Sequence, residues 1–362
     1  MPKPLAQALV DPPVAVVVLV LLAAAALLRW RLPRDRFYTL VGSALVCFAL
    51  VEVGFRVLGV GRTERAVWEE DLARDEIYPF RPGSPLVFRY PDNPRGYFDE
   101  NDEVVGTVNA KGLRGEERPF AKPEGVRRIA LLGDSFTVGV GVKDEHTLPA
   151  QLELRLRERY PNLEILNFGE SGSGTVAQVE LLERYALRFA PDAVILVFFL
   201  NDVGLRGTID YLSEPVFFRR VRSVSRLANA LVQGVDRRIL HRSMLRAYHE
   251  AYLPPSPGWA QTRHALLRAQ KLARREGFAL AVAIYPVLVG LDGDYPFGDI
   301  HAAVGEFCGS AEIPVIDLLP VFAGQSDEKL WVHRTDQHPN EIAQGLAADA
   351  LADHAIAIGL ID

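Results

Sequence analysis

Residues 128–136 read Arg-Ile-Ala-Leu-Leu-Gly-Asp-Ser-Phe, an apolar run that ends on Gly133-Asp134-Ser135. Far downstream, Asp336-Gln337-His338 supplies a carboxylate and an imidazole two positions apart. A serine at the carboxyl end of a buried strand, with a histidine and an aspartate elsewhere, is the minimal set of side chains for nucleophilic acyl transfer. Open α/β folds bind their ligands at the carboxyl ends of the strands. The stretch therefore predicts both a strand of a parallel sheet and a nucleophile, Ser135, at its end.

Outward from this stretch, short apolar runs alternate with helical patterns. The predicted strands are 128–133, 163–168, 193–200, 279–285 and 313–317, and the predicted helices are 147–159, 174–189, 260–276, 298–309 and 340–357. Near-continuous apolar runs are typical of parallel strands that are buried on both faces, and strands alternating with helices favour right-handed crossovers. We predict an α/β fold: a three-layer α/β/α sandwich around a flavodoxin-like parallel sheet of five strands, preceded by N-terminal transmembrane helices.

The amino-terminal region has the composition of a membrane anchor. Residues 14–28 carry no charge, and Asp11 is the one charged residue from there back to Pro4, so the stretch has the roughly 20 predominantly apolar residues that a spanning helix needs. A second apolar run, 37–51, is shorter but continues past Glu52. We predict that the anchor, residues 1–59, contains two transmembrane helices, at about 5–28 and 37–58.

Four arginines lie between the two apolar runs, within residues 29–36. Cytoplasmic loops carry an excess of Lys and Arg, so we expect this loop in the cytoplasm and everything after residue 60 on the periplasmic side of the inner (cytoplasmic) membrane. The alternative is a cleaved signal peptide followed by one anchor. A signal peptide carries its basic residues before the apolar run, where only Lys3 stands here. Either version predicts an extracytoplasmic carboxyl-terminal domain.

Charge and cysteine content limit the partners and cofactors. The formal net charge is −6, which gives no reason to expect binding to nucleic acid. Cys47 and Cys308 are the two cysteines, and their contexts are too different to predict a disulfide framework. The histidines show no metal-ligand spacing such as two positions one helical turn apart. We expect neither a metal nor an organic cofactor.

Two regions depart from the alternating pattern. Residues 60–126, here called the collar, are rich in Pro, Gly, Asp and Arg with short β-like pieces such as 104–108, which predicts a juxtamembrane connector and a small irregular or β-rich layer. The predicted catalytic domain, 127–362, contains an insertion at 203–258 that is too long for an ordinary connection. The insertion carries nine arginines and four acids. It is either a solvated helical excursion, or a lid or surface that lies against anionic lipid or polysaccharide.

The ends of the next two predicted strands carry further polar groups. Asn167-Phe168-Gly169 ends the second strand, with Gly172 and Gly174 close behind, and Asn201-Asp202 ends the third. In a flavodoxin-like strand order these ends are neighbours. The backbone N–H groups of Ser135 and Gly169 and the amide of Asn201 are therefore predicted to form an oxyanion hole.

In these blocks the chain resembles the SGNH/GDSL hydrolase family over roughly residues 127–357. Ser135, Gly169, Asn201 and His338 match the four blocks in order, and Asn109 to Gly115 resembles the membrane-tethered bacterial branch. The resemblance implies that Ser135 is the nucleophile, His338 the general base and Asp336 its orienter, with Gly169 and Asn201 completing the oxyanion hole. Two positions depart from the family. The carboxylate and histidine are spaced Asp-x-His where the well-studied branch has Asp-x-x-His, and Phe199 replaces the usual glycine two positions before the asparagine.

Several other residues are candidates for substrate contact or support. Asp134 is predicted to make structural turn bonds or to contact substrate, and Phe199 to narrow the site beside the oxyanion hole. Tyr285 is predicted to end the fourth strand and to line the pocket. His333 is predicted to contact substrate or to lie on the surface. Asn340 is predicted to cap the last helix and so to position His338. Arg114 lies in the collar and contacts either the catalytic domain or an acyl substrate. We favour contact with the catalytic domain.

These features predict a membrane-anchored, extracytoplasmic serine esterase that forms an acyl-enzyme on Ser135. The substrate is an acylated small molecule or envelope glycan, with O-acetylated polysaccharide and lipid acyl esters or thioesters as options; the bilayer is the one partner that the sequence predicts. One alternative is an O-acyltransferase acting on a cell-envelope polysaccharide, but Asp-x-His follows the serine motif here, which favours the hydrolase order. The other alternative is a catalytically silent envelope-binding scaffold. The intact set of site residues argues against it.

Overall fold

Three sheets form in the part of the chain that the structure describes. This computed structural model describes residues 30, 32–58, 66–73, 77–204, 225–227 and 244–361. The strands in these residues, numbered in chain order, are β1 Val67–Glu70, β2 Pro85–Arg89, β3 Glu103–Thr107, β4 Arg127–Gly133, β5 Leu163–Gly169, β6 Ala193–Phe199, β7 Ala279–Tyr285, β8 Val315–Asp317, β9 Trp331–His333 and β10 Asp336–Pro339. One sheet is β1-β2-β3, one is β9-β10, and the central sheet has five strands.

The central sheet runs in the order β5-β4-β6-β7-β8, and all its neighbouring strands are parallel. This is the flavodoxin-like order, in which the second strand lies outside the first. The predicted fold class and all five predicted strands are confirmed. Every residue of β5 and of β6 is buried, as expected for parallel strands covered on both faces.

Helices cover both faces of this sheet. The helices with assigned bounds among the described residues are α1 Arg34–Val57, which belongs to the amino-terminal region, and then α2 Ser135–Val138, α3 Leu148–Arg157, α4 Thr175–Arg184, α5 Pro257–Glu276, α6 Gly298–Ser310, α7 Leu319–Phe322, α8 Asp327–Leu330 and α9 Glu341–Ala357, with 3₁₀ turns at Asp144–His146, Ala186–Phe189 and Leu200–Val203. Helix α3 packs against α9, and α4 packs against α5. These two pairs form the outer layers of the three-layer sandwich.

Two helices begin or end at residues other than the predicted ones. The helix predicted at 174–189 ends at Arg184, and a separate 3₁₀ turn follows. The helix predicted at 260–276 begins three residues earlier, because the Ser256 hydroxyl accepts a hydrogen bond from Trp259 N and Pro257 occupies the first turn. A serine cap followed by a proline is a favourable helix start.

The collar forms an antiparallel sheet in which β2 pairs with β1 on one side and β3 on the other. Its buried side chains, Phe80, Leu86, Phe88, Tyr90 and Val104 among them, share one hydrophobic cluster with residues that follow the nucleophile, Val138, Val140 and Val142. Residues Glu64–Thr208 and Leu245–Asp362 cluster as one compact unit. The collar sheet therefore packs directly against the segment that carries Ser135.

Helix α1 has 24 residues, none of which is buried. Its length and apolar composition are sufficient to cross a membrane, and it overlaps the span predicted at 37–58. The span predicted at about 5–28 lies outside the described residues. Residues Met1–Thr63 cluster with Ile209–Met244 as a second compact unit.

The insertion predicted at 203–258 is described at its two ends and at 225–227. Residues 244–252 are helical, and this part lies against the sheet domain, since Tyr252 Oη donates to the carbonyl of Leu200 at 2.8 Å and the Tyr248 ring lies 5.1 Å from that of Phe297. The remainder of the insertion, with most of its arginines, is outside the described residues, and its role stays a prediction.

Candidate active site

The structure brings Ser135, His338 and Asp336 into one chain of hydrogen bonds. His338 Nε2 lies 2.8 Å from Ser135 Oγ, and His338 Nδ1 lies 2.5 Å from Asp336 Oδ1. This is the order nucleophile, base and orienter that acyl transfer requires. We refer to these three residues as the triad.

The Asp-x-His spacing follows from the local structure. Asp336 and His338 lie on the short strand β10, which pairs with β9 with a shift in register. In an extended strand, residues two apart point to the same side, so a spacing of two lets the Asp336 carboxylate reach the imidazole that contacts Ser135. Immediately afterwards, Asn340 Oδ1 accepts from the backbone N–H groups of Ile342 and Ala343, both at 3.0 Å. The predicted helix cap is thus present, and it fixes the chain directly after His338.

Ser135 is the first residue of the four-residue helix α2, two positions after β4 ends. Asp134 precedes it and accepts a hydrogen bond from Phe136 N at 2.9 Å, which caps the helix. The N–H of Ser135 has no hydrogen-bond partner among the described residues. This leaves a backbone donor beside the nucleophilic oxygen, at the amino terminus of a helical turn where orphan N–H groups are expected.

Charge and burial shift the pKa of His338 in opposite directions. Burial alone would lower its pKa, but the charge of Asp336 and the hydrogen bond to it outweigh burial and raise the pKa above 6.5. Burial would likewise raise the pKa of Asp336, yet the charge of His338 and the hydrogen bonds that Asp336 accepts lower it. The pair is therefore arranged to stabilise an imidazolium beside a carboxylate, which is the charge state that follows proton abstraction from serine.

A tyrosine from the collar supports the triad carboxylate, and sequence reasoning missed it. Tyr90, directly after β2, donates its hydroxyl hydrogen to Asp336 Oδ2 at 2.9 Å. Its ring is buried and stacks on Phe98 with ring centres 4.4 Å apart. Burial and the charge of Asp336 raise the pKa of Tyr90, so its hydroxyl remains a donor. Asp336 is held by His338 through one oxygen and by Tyr90 through the other.

Strand β1 of the collar brings two more side chains to the site. The Trp68 ring lies 5.0 Å from the His338 ring in an edge-on arrangement. Glu70, on the same side of the strand, accepts a hydrogen bond from Ser171 Oγ at 2.6 Å, and its charge favours the protonated form of His338. Burial raises the pKa of Glu70. No local motif in the sequence connects these residues with the triad.

The prediction that Gly169 N–H faces the oxyanion is wrong, because this N–H donates to Asn167 Oδ1 at 2.9 Å. Position 169 needs glycine for a steric reason: a Cβ there would lie 2.3 Å from Val138 N. The next turn carries a better donor. Ser173 N bonds to Glu170 O, and Gly172 sits in that turn with φ +74°, a conformation that glycine adopts at low cost. Gly172 is exposed, and its N–H has no partner in the described part of the chain.

Two buried carboxylates lie beneath the end of β6. The Asn201 side chain hydrogen-bonds to Asp134, and burial raises the pKa of Asp134 to about 6. Asp202 accepts from Thr175 Oγ1 at 3.1 Å and from Gln178 Nε2 at 3.2 Å, and burial together with the charge of Asp134 raises its pKa. Asp202 thus ties the start of α4 to the 3₁₀ turn that carries Asn201.

Four residues considered for substrate contact are buried instead. Asp134 is 1% exposed and serves as the helix cap. Phe199 packs beside Phe136 at 4.1 Å between ring centres. Tyr285 is completely buried and donates to the carbonyl of Ala343 at 3.3 Å. His333 lies neither on the surface nor in the site, because its side chain is enclosed and its Nε2 lies 2.7 Å from Asp92 Oδ1.

Arg114 has the structural role that was predicted. Its guanidinium is 1% exposed and forms an ion pair with Asp144 at 2.8 Å. It also donates to three carbonyls of the loop after the nucleophile, those of Val138 at 3.0 Å, Gly139 at 2.6 Å and Val142 at 2.6 Å. The collar arginine therefore holds the segment that follows Ser135.

Comparisons with known proteins give the family of the chain and structures to which it is similar. A family model described as GDSL-like lipase/acylhydrolase matches residues 131–346, a range that includes the triad and leaves out the collar. Among solved structures, the chain is similar to TesA (TM-score 0.43, 13% identity, 64% of this chain and 99% of that chain). It is also similar to LAE5, an alpha/beta hydrolase from the metagenome of Lake Arreo, Spain (TM-score 0.43, 13% identity, 67% and 99%), and to the psychrotrophic esterase EstA from Pseudoalteromonas sp. (TM-score 0.42, 17% identity, 65% and 100%). No curated protein matches the chain.

Proposed function

This chain belongs to the GDSL-like lipase/acylhydrolase family and is an ester-hydrolysing serine hydrolase; we propose that it is a membrane-anchored esterase which cleaves an O-acetyl or other acyl ester outside the cytoplasm. The observation that carries the catalytic part is the 2.8 Å contact between Ser135 Oγ and His338 Nε2. A base at this distance can accept the serine proton as the oxygen attacks.

The reaction proceeds in two halves. Ser135 Oγ attacks the ester carbonyl carbon while its proton passes to His338 Nε2, and the imidazolium then gives that proton to the leaving alcohol oxygen. The acyl group remains on Ser135. A water molecule attacks the acyl-enzyme and gives a proton to His338, which returns it to Ser135 Oγ as the carboxylic acid leaves. Asp336 stays ionised throughout and stabilises the imidazolium.

The tetrahedral intermediate carries a negative oxygen that needs donors. We assign this role to the N–H groups of Ser135 and Gly172, which have no partner in the described residues, and to the Asn201 amide. An amide nitrogen has two hydrogens, so Asn201 can bond Asp134 with one and the oxyanion with the other. Asp134 and Asp202 act as positioning residues for this donor.

The location outside the cytoplasm rests on the amino-terminal sequence. Helix α1 has the length and composition of a membrane span, and the basic loop before it, residues 29–36, is of the kind retained in the cytoplasm. With the bilayer as its partner, the enzyme would act on acylated material of the cell envelope. A reporter that is active only in the cytoplasm, fused after Asp362, should be silent; an active fusion would invert the orientation and remove the envelope substrate.

Ser135→Ala tests the catalytic proposal. We expect turnover of p-nitrophenyl acetate by the full chain in detergent to fall by about 10³-fold or more, because loss of the nucleophile leaves only binding and the oxyanion donors. A fluorophosphonate should label the wild-type protein at Ser135 and leave the variant unlabelled. Near-wild-type turnover by a folded Ser135→Ala protein, or labelling at another residue, would exclude Ser135 as the nucleophile.

A further inference from the structure

Strand β1 presents a second set of polar and aromatic groups to the catalytic histidine. Its side chains alternate between two sides: Glu69 pairs with Arg89 on one side, while Trp68 and Glu70 lie on the other, opposite the buried Phe88 and Leu86 of β2. Trp68 meets the His338 ring and remains 41% exposed. The strand lies outside the range that the family model matches, 131–346, so these groups are an addition of this chain to the hydrolase domain.

The position of Trp68 and Glu70 beside His338 places them next to the alcohol half of the ester. His338 must deliver its proton to the leaving alcohol oxygen, and a general acid does so within hydrogen-bond distance. Side chains that border the open side of His338 therefore border the alcohol, whereas the acyl oxygen points toward the donors at Ser135, Gly172 and Asn201. Trp68 touches His338 directly, and Glu70 is near enough for its charge to act on the imidazole.

The chemistry of Glu70 and Ser171 fits a hydroxyl group. Ser171 Oγ donates to Glu70 Oε1 at 2.6 Å, and Glu70 Oε2 has no hydrogen-bond partner among the described residues. A hydroxyl both donates and accepts, so it can donate to the open carboxylate oxygen and accept from a neighbouring donor. A phosphate or carboxylate would face the charge of Glu70, and an alkyl chain would bury this carboxyl without a hydrogen bond, which is costly.

The indole of Trp68 supplies the apolar part of such a site. Tryptophan offers a large rigid surface at little cost in conformational entropy, and it binds partners that are apolar on one side and polar at the edge. A pyranose ring has this character, with C–H groups on its faces and hydroxyls at its edge. A quaternary ammonium could also lie on an indole, but it has no hydrogen to donate to Glu70 Oε2 and no oxygen to accept a hydrogen bond.

We propose that Trp68, Glu70 and Ser171 form a binding site for the alcohol part of the ester, and that this alcohol is an uncharged polyol such as a sugar with a free hydroxyl near the acyl group. The inference rests on the proposed function, because it places the polyol next to the leaving oxygen that His338 protonates. Selectivity for the acyl group is a separate property of the site.

The test compares two esters across matched variants of the full chain in detergent. The esters are methyl 6-O-acetyl-glucopyranoside, followed by release of acetate, and p-nitrophenyl acetate, which carries no hydroxyl. For Glu70→Gln and Trp68→Leu we expect the ratio of kcat/KM for the sugar ester to that for p-nitrophenyl acetate to fall at least tenfold. For Glu69→Gln, on the opposite side of the same strand, the ratio should stay as in wild type. Labelling of Ser135 by a fluorophosphonate verifies that each variant keeps an assembled site.

Three outcomes would overturn the polyol site. One is an unchanged ratio in both variants. Another is an equal loss on both esters, which would mean that Trp68 and Glu70 act only on His338. The third is a wild-type preference for acetylcholine over the sugar ester that Glu70→Gln abolishes, which would make this a cation site. The proposed function fails in a different way: wild type would then turn over neither ester, or would do so without Ser135.

Discussion

The family-matched region and the collar both contact the catalytic histidine, but they differ in what they contribute. Residues 131–346 supply the nucleophile directly after strand β4, and the base and its carboxylate on strand β10. The collar supplies no group that reacts; it contributes Tyr90 to the carboxylate, Trp68 and Glu70 to the side of the imidazole, and Arg114 to the loop behind the nucleophile. The chemistry thus resides in the common fold, while support and selectivity come from a segment added in front of it.

Variants of the triad should give the largest effects. We expect Asp336→Asn to lower kcat by about 10³- to 10⁴-fold with little change in KM, because its interaction with His338 grows as the imidazolium forms. His338→Ala should be at least as damaging, and the double variant should be no worse than the more damaging single one, since the two residues act as a unit.

The matched control for these variants is Asp92→Asn. Asp92 contacts His333 in the same segment, and its substitution should leave kcat within about threefold of wild type, because Asp92 is a partly exposed partner of His333 and Arg334 and exposed pairs contribute little. If Asp336→Asn keeps most of its activity, the site is a Ser-His dyad, and Tyr90 then has no catalytic carboxylate to support.

Arg114→Met should give the next largest effect, on stability. The substitution leaves three carbonyls without their donor and Asp144 without its partner, and we expect a loss of about 2–4 kcal/mol in the free energy of unfolding. The thermal midpoint should fall by roughly 5–10 °C. Arg81→Met is the control, since the Arg81–Asp71 pair is 69% and 48% exposed and exposed pairs contribute little. Equal midpoints for the two variants would show that the collar does not stabilise the nucleophile loop.

Tyr90→Phe isolates the contribution of the collar to the triad. Without the hydroxyl, Asp336 Oδ2 loses its donor, and we expect kcat to fall about tenfold with KM nearly unchanged, the effect of one buried hydrogen bond to a charged group. Tyr97→Phe is the control, because Tyr97 lies in the same collar but bonds to Lys143 N and His146. A Tyr90→Phe enzyme with more than half of the wild-type kcat would reduce Tyr90 to a packing residue.

The contrast between the two regions also explains what the sequence could predict. The five central strands are local signals: β6 alone is seven buried residues in succession. The triad follows from two short motifs, Gly133-Asp134-Ser135 at the end of a predicted strand and Asp336-Gln337-His338 near the carboxyl terminus. The contact between Tyr90 and Asp336 joins residues 246 positions apart, and no periodicity or spacing encodes such a pair. It depends on how the collar sheet packs, which is a property of the assembled core.

The errors near the site have a related cause. The sequence places polar and aromatic residues at strand ends, but it does not show which side of the sheet each one faces. A shift of one position reverses that side, because side chains alternate along a strand. Tyr285 and His333 accordingly proved buried. With Gly169 and Gly172 three positions apart, the choice between them depends on the turn that begins at Glu170 and on the hydrogen bond from Gly169 N to Asn167. Neither is visible before the turn is built.

The smallest expected effect is a shift in pH dependence, and it measures the collar's electrostatic contribution. His338 must be neutral to accept the serine proton, so kcat/KM should rise with pH through the pKa of His338, which Asp336 raises above 6.5 against the effect of burial. Glu70 raises the same pKa by its charge. Glu70→Gln removes that charge, so the acidic limb of the profile should move to lower pH by a fraction of a unit, with a free-energy equivalent below about 1.4 kcal/mol. Glu69→Gln should leave the limb in place. Measured on p-nitrophenyl acetate, a limb that stays fixed or moves to higher pH in Glu70→Gln would mean that the charge of Glu70 does not act on His338.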